Sequence, residues 1–153
     1  MRPQPGTYAL ILKSTKAASI PVGKLGTLQL RPGFFVYVGS AHGPGGLWGR
    51  LAHHLESTAR PHWHVDYLRA HTNPQEVWYC CGRRLWEHRW ARCLGTQRGA
   101  SIPLAGFGSS DCTCESHLFF FRGAPSYSTF DQRLRAFYGS HAPVWLHRID
   151  EKP

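Results

Sequence analysis

Residues 34–55 read FFVYVGSAHGPGGLWGRLAHHL and decide how the rest of the chain is organised. The first five residues are β-formers between two glycines, which predicts a strand. The segment SAHGPGG predicts a tight turn, and from Leu47 onward leucine recurs every four residues, the spacing of one helix face. Arg50 and His54 are also four residues apart and share a neighbouring face. The stretch predicts a tyrosine-bearing strand, a loop and a helix that together could hold a phosphate beside a proton acceptor.

The charge of the chain indicates a polyanionic partner. Lys and Arg number 18 against 9 Asp and Glu, which gives a net charge of +9 and a pI near 9.8. Most of these cations are arginines, which match phosphate oxygens bidentately. We therefore expect nucleic acid as the partner, although a basic protein without such a partner has the same composition.

The length of 153 residues predicts a single domain over 1–153. No apolar run is long enough to span a membrane, and ALIL near the N-terminus is too short for the apolar part of a signal peptide. Five cysteines, with Cys80 and Cys81 adjacent, do not suggest a disulfide framework. These features predict a cytoplasmic protein with no membrane partner.

Alternating and helical patterns along the chain predict an α+β fold. A strand over 6–13 places Tyr8 on one face, and an extended segment over 20–30 leads into the strand at 34. Three strands joined by short turns predict an antiparallel meander, which would bring Tyr8 and Tyr37 onto one sheet face. The pattern further predicts helices over 62–71, 83–94 and 129–138, strands over 76–81 and 117–121, a loop over 102–116 and an extended piece around 144–146.

Several short motifs in fixed order resemble the GIY-YIG nucleases. They are GTY (6–8), YVG (37–39), then Arg50 and His54 on one helix and a single helical Glu87. The segments HWHVDYL (62–68) and GFGSSDCTCESHLFF (106–120) are similar to the Uri-type branch of that superfamily. The resemblance covers roughly residues 6–122, which leaves 123–153 as a C-terminal extension. The two tyrosine motifs are further apart than is usual there, so residues 16–33 look like an inserted hairpin.

The resemblance implies a small antiparallel sheet, with a three-stranded core plus extra strands, flanked by helices. It also implies an endonuclease that hydrolyses a nucleic-acid phosphodiester with one divalent metal ion, in repair or processing of DNA structures. Such a catalyst must neutralise the phosphate charge and supply a deprotonated water. Paired cuts would require a homodimer.

Individual residues suit these tasks. Arg50 can bind two phosphate oxygens and stays charged, and Glu87 suits Mg²⁺ or Mn²⁺, which take carboxylate oxygen and water. Tyr8 is the expected general base or water-orienting group, and Tyr37 would support it or bind phosphate. His54 could accept a hydrogen bond from a tyrosine or relay the proton.

The loop residues Gly39, Ser40 and His42, and Ser109 with Ser110 in GFGSS, are expected to contact the substrate through backbone amides and hydroxyls. Each candidate also has a structural interpretation. The tyrosines could be core aromatics. Arg50 could pair with Glu56, and Glu87 could pair with Arg83 one turn back. GFGSS could be only a tight connection. As a whole the chain could be a non-catalytic nucleic-acid-binding module that uses phosphate contacts and base stacking.

Cys112, Cys114 and His117 form a CxCxxH segment within the same loop. Zinc would need a fourth ligand, for which Cys80, Cys81, His62 and His64 are candidates if folding brings one of them close. The alternative is a pair of free cysteines that cap a strand. A zinc-stabilised interaction domain is therefore a further hypothesis for the whole chain.

Overall fold

A five-stranded antiparallel sheet lies at the centre of the computed structural model, which describes residues 4–43, 45–56, 61, 63–83, 85–109 and 112–149. The strand order is β6-β4-β1-β5-β7, and β2 and β3 form a separate hairpin. The strands are β1 (Gly6–Ser14), β2 (Ala18–Val22), β3 (Gly26–Leu30), β4 (Gly33–Ala41), β5 (Asn73–Cys81), β6 (Leu118–Phe121) and β7 (Trp145–Arg148). The helices are α1 (Gly46–Leu55), α2 (His64–Arg69), α3 (Glu87–Gly95) and α4 (Tyr127–Phe137). The predicted α+β class is confirmed.

Strand β1 is central, and both of its faces are buried. It pairs with β4 on one side and with β5 on the other. Tyr8, Leu10 and Leu12 point into a core formed with α1, α2 and the hairpin. The intervening Ala9 and Ile11 point into a second core formed with α3 and α4. This alternation is the one that the sequence predicts, because successive side chains of a strand point to opposite faces.

The predicted three-stranded meander is wrong, because β2 and β3 do not join the main sheet. They pair only with each other, and β1 pairs directly with β4. Gly23 has a φ of 49° in the connecting turn, a left-handed conformation that glycine adopts readily. The hairpin buries its apolar side, which includes Ile20 and Leu28, on the core beneath Tyr8. Residues 16–33 thus contain the inserted hairpin that the spacing of the tyrosine motifs predicts.

Helix α3 begins at Glu87 rather than at the predicted residue 83. The backbone N–H of Trp86 donates to Thr7 Oγ1 at 2.9 Å, and the φ and ψ of Trp86 are not helical. This bond ties the start of the helix to β1. Glu87 is therefore the first helical residue, where the partial positive charge of the helix N-terminus favours a carboxylate.

The other boundaries shift by a few residues. Helix α2 is shorter than predicted, and β5 begins at Asn73, earlier than residue 76. Helix α4 begins at Tyr127 because the side chain of Ser126 accepts the backbone N–H of Thr129, an N-cap bond. Among the described residues, no helix combines the length and the apolar character that crossing a bilayer requires.

Candidate functional site

Ser40 links the guanidinium and the carboxylate that the sequence singles out. Arg50 Nη1 donates to the backbone oxygen of Ser40 at 3.1 Å, and Ser40 Oγ donates to Glu87 Oε2 at 2.9 Å. Strand β6 pairs only with residues 34–37 of β4, so Ser40 lies beyond the end of that pairing. Helix α1 reaches this end of the strand from one face of the sheet, and the start of α3 reaches it from the other. Arg50 and Glu87 therefore both contact Ser40 near the end of β4.

The contacts of Arg50 differ from those of a simple surface ion pair. Its guanidinium lies over the ring of Trp63 at 4.5 Å from the centroid, a cation–π contact. It also donates to Ser40, and it interacts with the hydroxyl of Tyr8. The ring and the carbonyl hold the guanidinium in place, which favours a positioned cation over the alternative pairing with Glu56.

Tyr8, His54 and Asp66 form a buried row of titratable side chains. Tyr8 Oη lies 2.7 Å from His54 Nε2, and His54 Nδ1 lies 3.6 Å from Asp66 Oδ1. The second oxygen of the carboxylate lies 3.2 Å from His53 Nε2 and accepts the backbone N–H of Trp63. Each of the three side chains in this row is at most 3% exposed. The order phenol, imidazole, carboxylate resembles the order of groups in a serine protease triad.

The charge states of Tyr8 and His54 follow from their burial. Burial raises the pKa of Tyr8 well above its usual value, with a further rise from Tyr37 and a smaller opposing effect of Arg50. Burial also lowers the pKa of His54 to about 4, against the opposing effect of Asp66. At neutral pH the phenol therefore keeps its proton and the imidazole is neutral. The short contact to the Tyr8 hydroxyl makes Nε2 the acceptor and leaves the imidazole proton on Nδ1, which faces Asp66 at 3.6 Å, beyond hydrogen-bond distance.

The second tyrosine lies beside the first, as the sequence predicts. The ring centroids of Tyr8 and Tyr37 are 6.3 Å apart. Burial and the charge of Glu87 raise the pKa of Tyr37. Its ring also packs edge-on against Phe107, and a Cβ on Gly108 would lie 2.8 Å from it. The GFG part of the 102–116 loop therefore packs against Tyr37 and needs glycine at 108 to do so.

Gly39 makes room for the phenol of Tyr8. The two residues are direct partners across β1 and β4, and a Cβ on Gly39 would lie 2.4 Å from Tyr8 Oη. The GTY and YVG motifs thus depend on each other through one cross-strand pair. This steric requirement explains the glycine without a substrate contact.

Changing Gly39 to Ala is expected to displace the Tyr8 ring and to destabilise the protein by about 1–3 kcal/mol, because overpacking a full core forces side chains off their rotamers. Chemical denaturation measures the effect. Gly43→Ala is the matched control, since a Cβ there meets nothing within 4 Å. Equal stabilities of the two variants would contradict the proposed fit between Gly39 and Tyr8.

Glu87 is ionised in spite of partial burial. Burial alone would raise its pKa, but His117, Ser40 and His88 together outweigh that effect and lower it. His117 Nδ1 lies 3.1 Å from Glu87 Oε1 in an ion-pair contact. The contacts of the carboxylate are therefore to Ser40 and His117, and Arg83 lies before the helix, so the alternative pairing of Glu87 with Arg83 one turn back is wrong.

The CxCxxH residues gather with a histidine that was not predicted. Cys112 Sγ lies 3.4 Å from His117 Nε2, and Cys114 Sγ lies 3.4 Å from His88 Nδ1. Burial and the neighbouring Cys112 thiol raise the pKa of Cys114 to about 11. The chain thus holds a group of side chains that could bind a metal ion, and a second such group consists of His53, His54 and Asp66.

The three fourth-ligand candidates that the structure describes are not part of the cysteine cluster. Cys80 is buried in the core on the α3 side of the sheet, and Cys81 is exposed on β5. His64 Nδ1 accepts the backbone N–H of Gly108 at 2.8 Å. His62 lies outside the described residues. His88 takes the position that these residues were expected to fill.

The predicted substrate contacts have different surroundings. His42 is exposed beyond the end of β4, and Ser40 is half-buried between Arg50 and Glu87. Ser109 is buried, and its backbone N–H donates to Gly106, so the expected contact between Ser109 and substrate does not fit this structure. Ser110 lies outside the described residues.

Sequence reasoning missed the roles of Asp66 and His88. Asp66 lies within HWHVDYL, in the predicted helix over 62–71. Its partners His53 and His54 lie on α1. The sequence could indicate this contact only if α1 and α2 were known to be adjacent. His88 follows Glu87 directly, and its partner cysteines are distant in sequence. Only the position of α3 against the 102–116 loop brings them together.

Comparisons with known proteins place the chain in a family. No curated protein and no solved structure matches it. A family described as a domain of unknown function matches residues 7–138, which include every site residue named above. The chain therefore belongs to this family, DUF123, a domain of unknown function.

Proposed function

We propose that this protein is a metal-dependent endonuclease that hydrolyses phosphodiester bonds of nucleic acid, DNA rather than RNA, as its resemblance to the Uri-type GIY-YIG nucleases implies. One observation carries the proposal. Ser40 joins Arg50 and Glu87 next to the hydrogen-bonded pair of Tyr8 and His54. These are the groups that phosphodiester hydrolysis needs: a cation for the phosphate, a carboxylate for a metal and a proton acceptor for water.

Arg50 is the proposed phosphate ligand. Its planar fork donates two parallel hydrogen bonds to phosphate oxygens, and the charge persists at any physiological pH. The guanidinium would turn from the carbonyl of Ser40 to the phosphate while it stays over the ring of Trp63. Because Arg50 interacts with the Tyr8 hydroxyl, this movement would also open that buried hydroxyl to the attacking water.

Tyr8 and His54 are the proposed proton path. The attacking water would give a proton to Tyr8 Oη as its oxygen bonds to phosphorus, and the proton of Tyr8 would pass to His54 Nε2. The bond from phosphorus to the leaving oxygen then breaks, and the alkoxide that leaves takes its proton from solvent. Asp66 would stabilise the imidazolium that forms, because its carboxylate faces Nδ1. The neutral states of the phenol and the imidazole before reaction are the ones this path requires.

Glu87 is the proposed ligand of one Mg²⁺ or Mn²⁺. Its side chain is 24% exposed, one carboxylate oxygen accepts from Ser40 and the other lies 3.1 Å from His117 Nδ1, which leaves lone pairs for a cation. Hard divalent ions are commonly held by a single carboxylate together with waters and substrate phosphate. When bound, the ion would supply positive charge to the phosphate and to the leaving oxygen. The lowered pKa keeps Glu87 in the anionic form that this requires.

A cleavage panel tests the proposal. Labelled single-stranded, duplex and branched DNA, with matching RNA, are incubated with Mg²⁺, Mn²⁺ or EDTA, and binding is measured on the same substrates across salt concentrations. We expect cleavage of at least one DNA structure with metal and none with EDTA. Salt-sensitive binding with no cleavage of any substrate under any metal condition would overturn the proposal and favour the non-catalytic binding module.

Acid should destabilise the protein through His54. The pKa of His54 is about 4 in the folded chain against 6.5 unfolded. Between these values the unfolded chain binds a proton that the folded chain does not, so stability falls as pH falls. We expect His54 to account for about 3 kcal/mol of the stability lost between pH 7 and pH 4. Urea denaturation of the parent and of His54→Gln measures this difference, and parallel pH profiles would contradict a buried neutral imidazole.

A further inference from the structure

Four side chains from two separate segments converge next to Glu87. Their ligand atoms, two sulfurs and two ring nitrogens, all lie within 4.8 Å of one another. Two of the residues lie in the 102–116 loop, one directly follows it before β6, and one is on the first turn of α3. They are His88, Cys112, Cys114 and His117. We propose that this cluster binds one zinc ion through all four side chains.

The distances fit a tetrahedral ion. With zinc–sulfur bonds of about 2.3 Å and zinc–nitrogen bonds of about 2.0–2.1 Å, a sulfur and a nitrogen ligand should lie about 3.5 Å apart. The pairs Cys112 Sγ–His117 Nε2 and Cys114 Sγ–His88 Nδ1 are each separated by 3.4 Å. A C–x–C segment supplies both sulfurs, so a single turn of backbone sets their positions.

The donor set selects the metal. Two thiolates and two imidazoles are soft or borderline ligands, which zinc prefers and which magnesium does not use. Four protein ligands close the coordination sphere and leave no position for a reacting water, as in structural zinc sites. This ion would therefore be distinct from the catalytic ion proposed at Glu87. Binding would displace the two thiol protons.

The surroundings supply the two features that a metal site needs beyond its ligands. His117 has Nε2 directed at Cys112 and Nδ1 at 3.1 Å from Glu87 Oε1, which is the carboxylate–histidine arrangement that orients ligands in zinc sites. A cavity of about 330 Å³ lies beside the cluster and is lined in part by His88, Cys114 and Arg92. It offers a path for the ion to enter.

Zinc at this position would fix the loop to the start of α3. Hydrogen bonds such as Gly106 N to Glu115 O and His117 N to Phe107 O close this loop on itself, whereas His88, as a zinc ligand, would connect it to α3. The zinc site does not depend on the nuclease proposal. The effect of zinc on catalysis does rest on the proposed function. By orienting His117, zinc would position Glu87, the proposed ligand of the catalytic ion.

Zinc content provides the test. Protein purified without chelator is expected to hold one zinc per chain, and cobalt substitution is expected to give the intense visible absorption of a tetrahedral ion with thiolate ligands. Cys112→Ser and His88→Ala should lose the ion. Cys81→Ser, which removes an exposed thiol outside the cluster, should keep it. Should the cluster variants fail to fold, titration of the folded parent with a mercurial thiol reagent should release zinc into a colorimetric indicator.

The role of Glu87 is tested separately through zinc affinity. Glu87→Gln should weaken zinc binding by about 10–100-fold, the usual effect of changing a residue that orients a metal-bound histidine, and Arg50→Ala should leave it unchanged. A parent that holds no zinc and gains no thermal stability from added zinc would overturn the site. So would full retention of zinc by both Cys112→Ser and His88→Ala, with His53, His54 and Asp66 as the other group that could hold the ion. Zinc bound as predicted without any nuclease activity would uphold this site and refute only the proposed function.

Discussion

Metal-dependent cleavage is expected to fall by about 10²–10⁴-fold when Tyr8 is changed to Phe, the usual range for loss of a general acid–base group. The substitution removes only the hydroxyl, which lies 2.7 Å from His54 Nε2. The ring keeps its place opposite Gly39, so the fold should be retained. The proton path from water to His54 is then broken at its first step. Single-turnover cleavage rates measure the effect.

Tyr127→Phe is the matched control for this change. The Tyr127 hydroxyl donates to the backbone oxygen of Val144, and the ring packs on Trp78 on the opposite side of the sheet. Both substitutions leave a former hydrogen-bond partner unsatisfied, at a cost of about 1–3 kcal/mol when that partner is buried. Only Tyr8→Phe should lose activity. If both variants cleave as well as the parent, Tyr8 does not transfer a proton.

Arg50→Ala is expected to lower the cleavage rate by about 10²–10³-fold, as removal of one preorganised charge-stabilising donor does in other enzymes. The ring of Trp63 holds the guanidinium beside Ser40, so substrate binding requires only its turn from the Ser40 carbonyl to the phosphate. Arg50→Lys keeps the charge but loses the fork, so it should restore only part of the rate.

Arg31→Ala controls for loss of charge and of an arginine–aromatic contact. The guanidinium of Arg31 lies 3.9 Å from the centroid of Phe120, and the residue is exposed. Removing it changes the net charge by the same amount as removing Arg50. Equal losses of cleavage in the two variants would show that Arg50 acts only through general attraction for nucleic acid. That result would contradict a specific phosphate contact.

Local patterns were sufficient to predict which side chains of β1 and α1 share a face. The alternation in β1 predicts which side chains join Tyr8, and the leucine spacing predicts the buried face of α1. The pairing of β1 with β4 was not predictable, because sequential strands usually pair and the hairpin is an exception to that rule. The start of α3 was also missed, since it depends on a hydrogen bond between Trp86 and Thr7, which are distant in sequence.

The sequence likewise predicted some residues of the candidate site and missed others. The motif order singles out Tyr8, Arg50, His54 and Glu87, and the structure brings them together around Ser40. Asp66 and His88 were missed because their partners come from other segments. Ser109 was expected to face substrate, but the packing of Phe107 on Tyr37 turns this part of the loop inward.

The central claim is that Glu87 binds the metal ion that assists hydrolysis at Tyr8 and Arg50. The most direct test of this claim is the rate of Mg²⁺-dependent DNA cleavage by the parent and by Glu87→Gln. Glu115→Gln is the control, because it makes the same change at an exposed position of the neighbouring loop. DNA affinity and zinc content are determined on the same samples. We predict that the parent and Glu115→Gln cleave, and that Glu87→Gln binds DNA equally well without cleaving it. Cleavage by Glu87→Gln at the parent rate would contradict the claim.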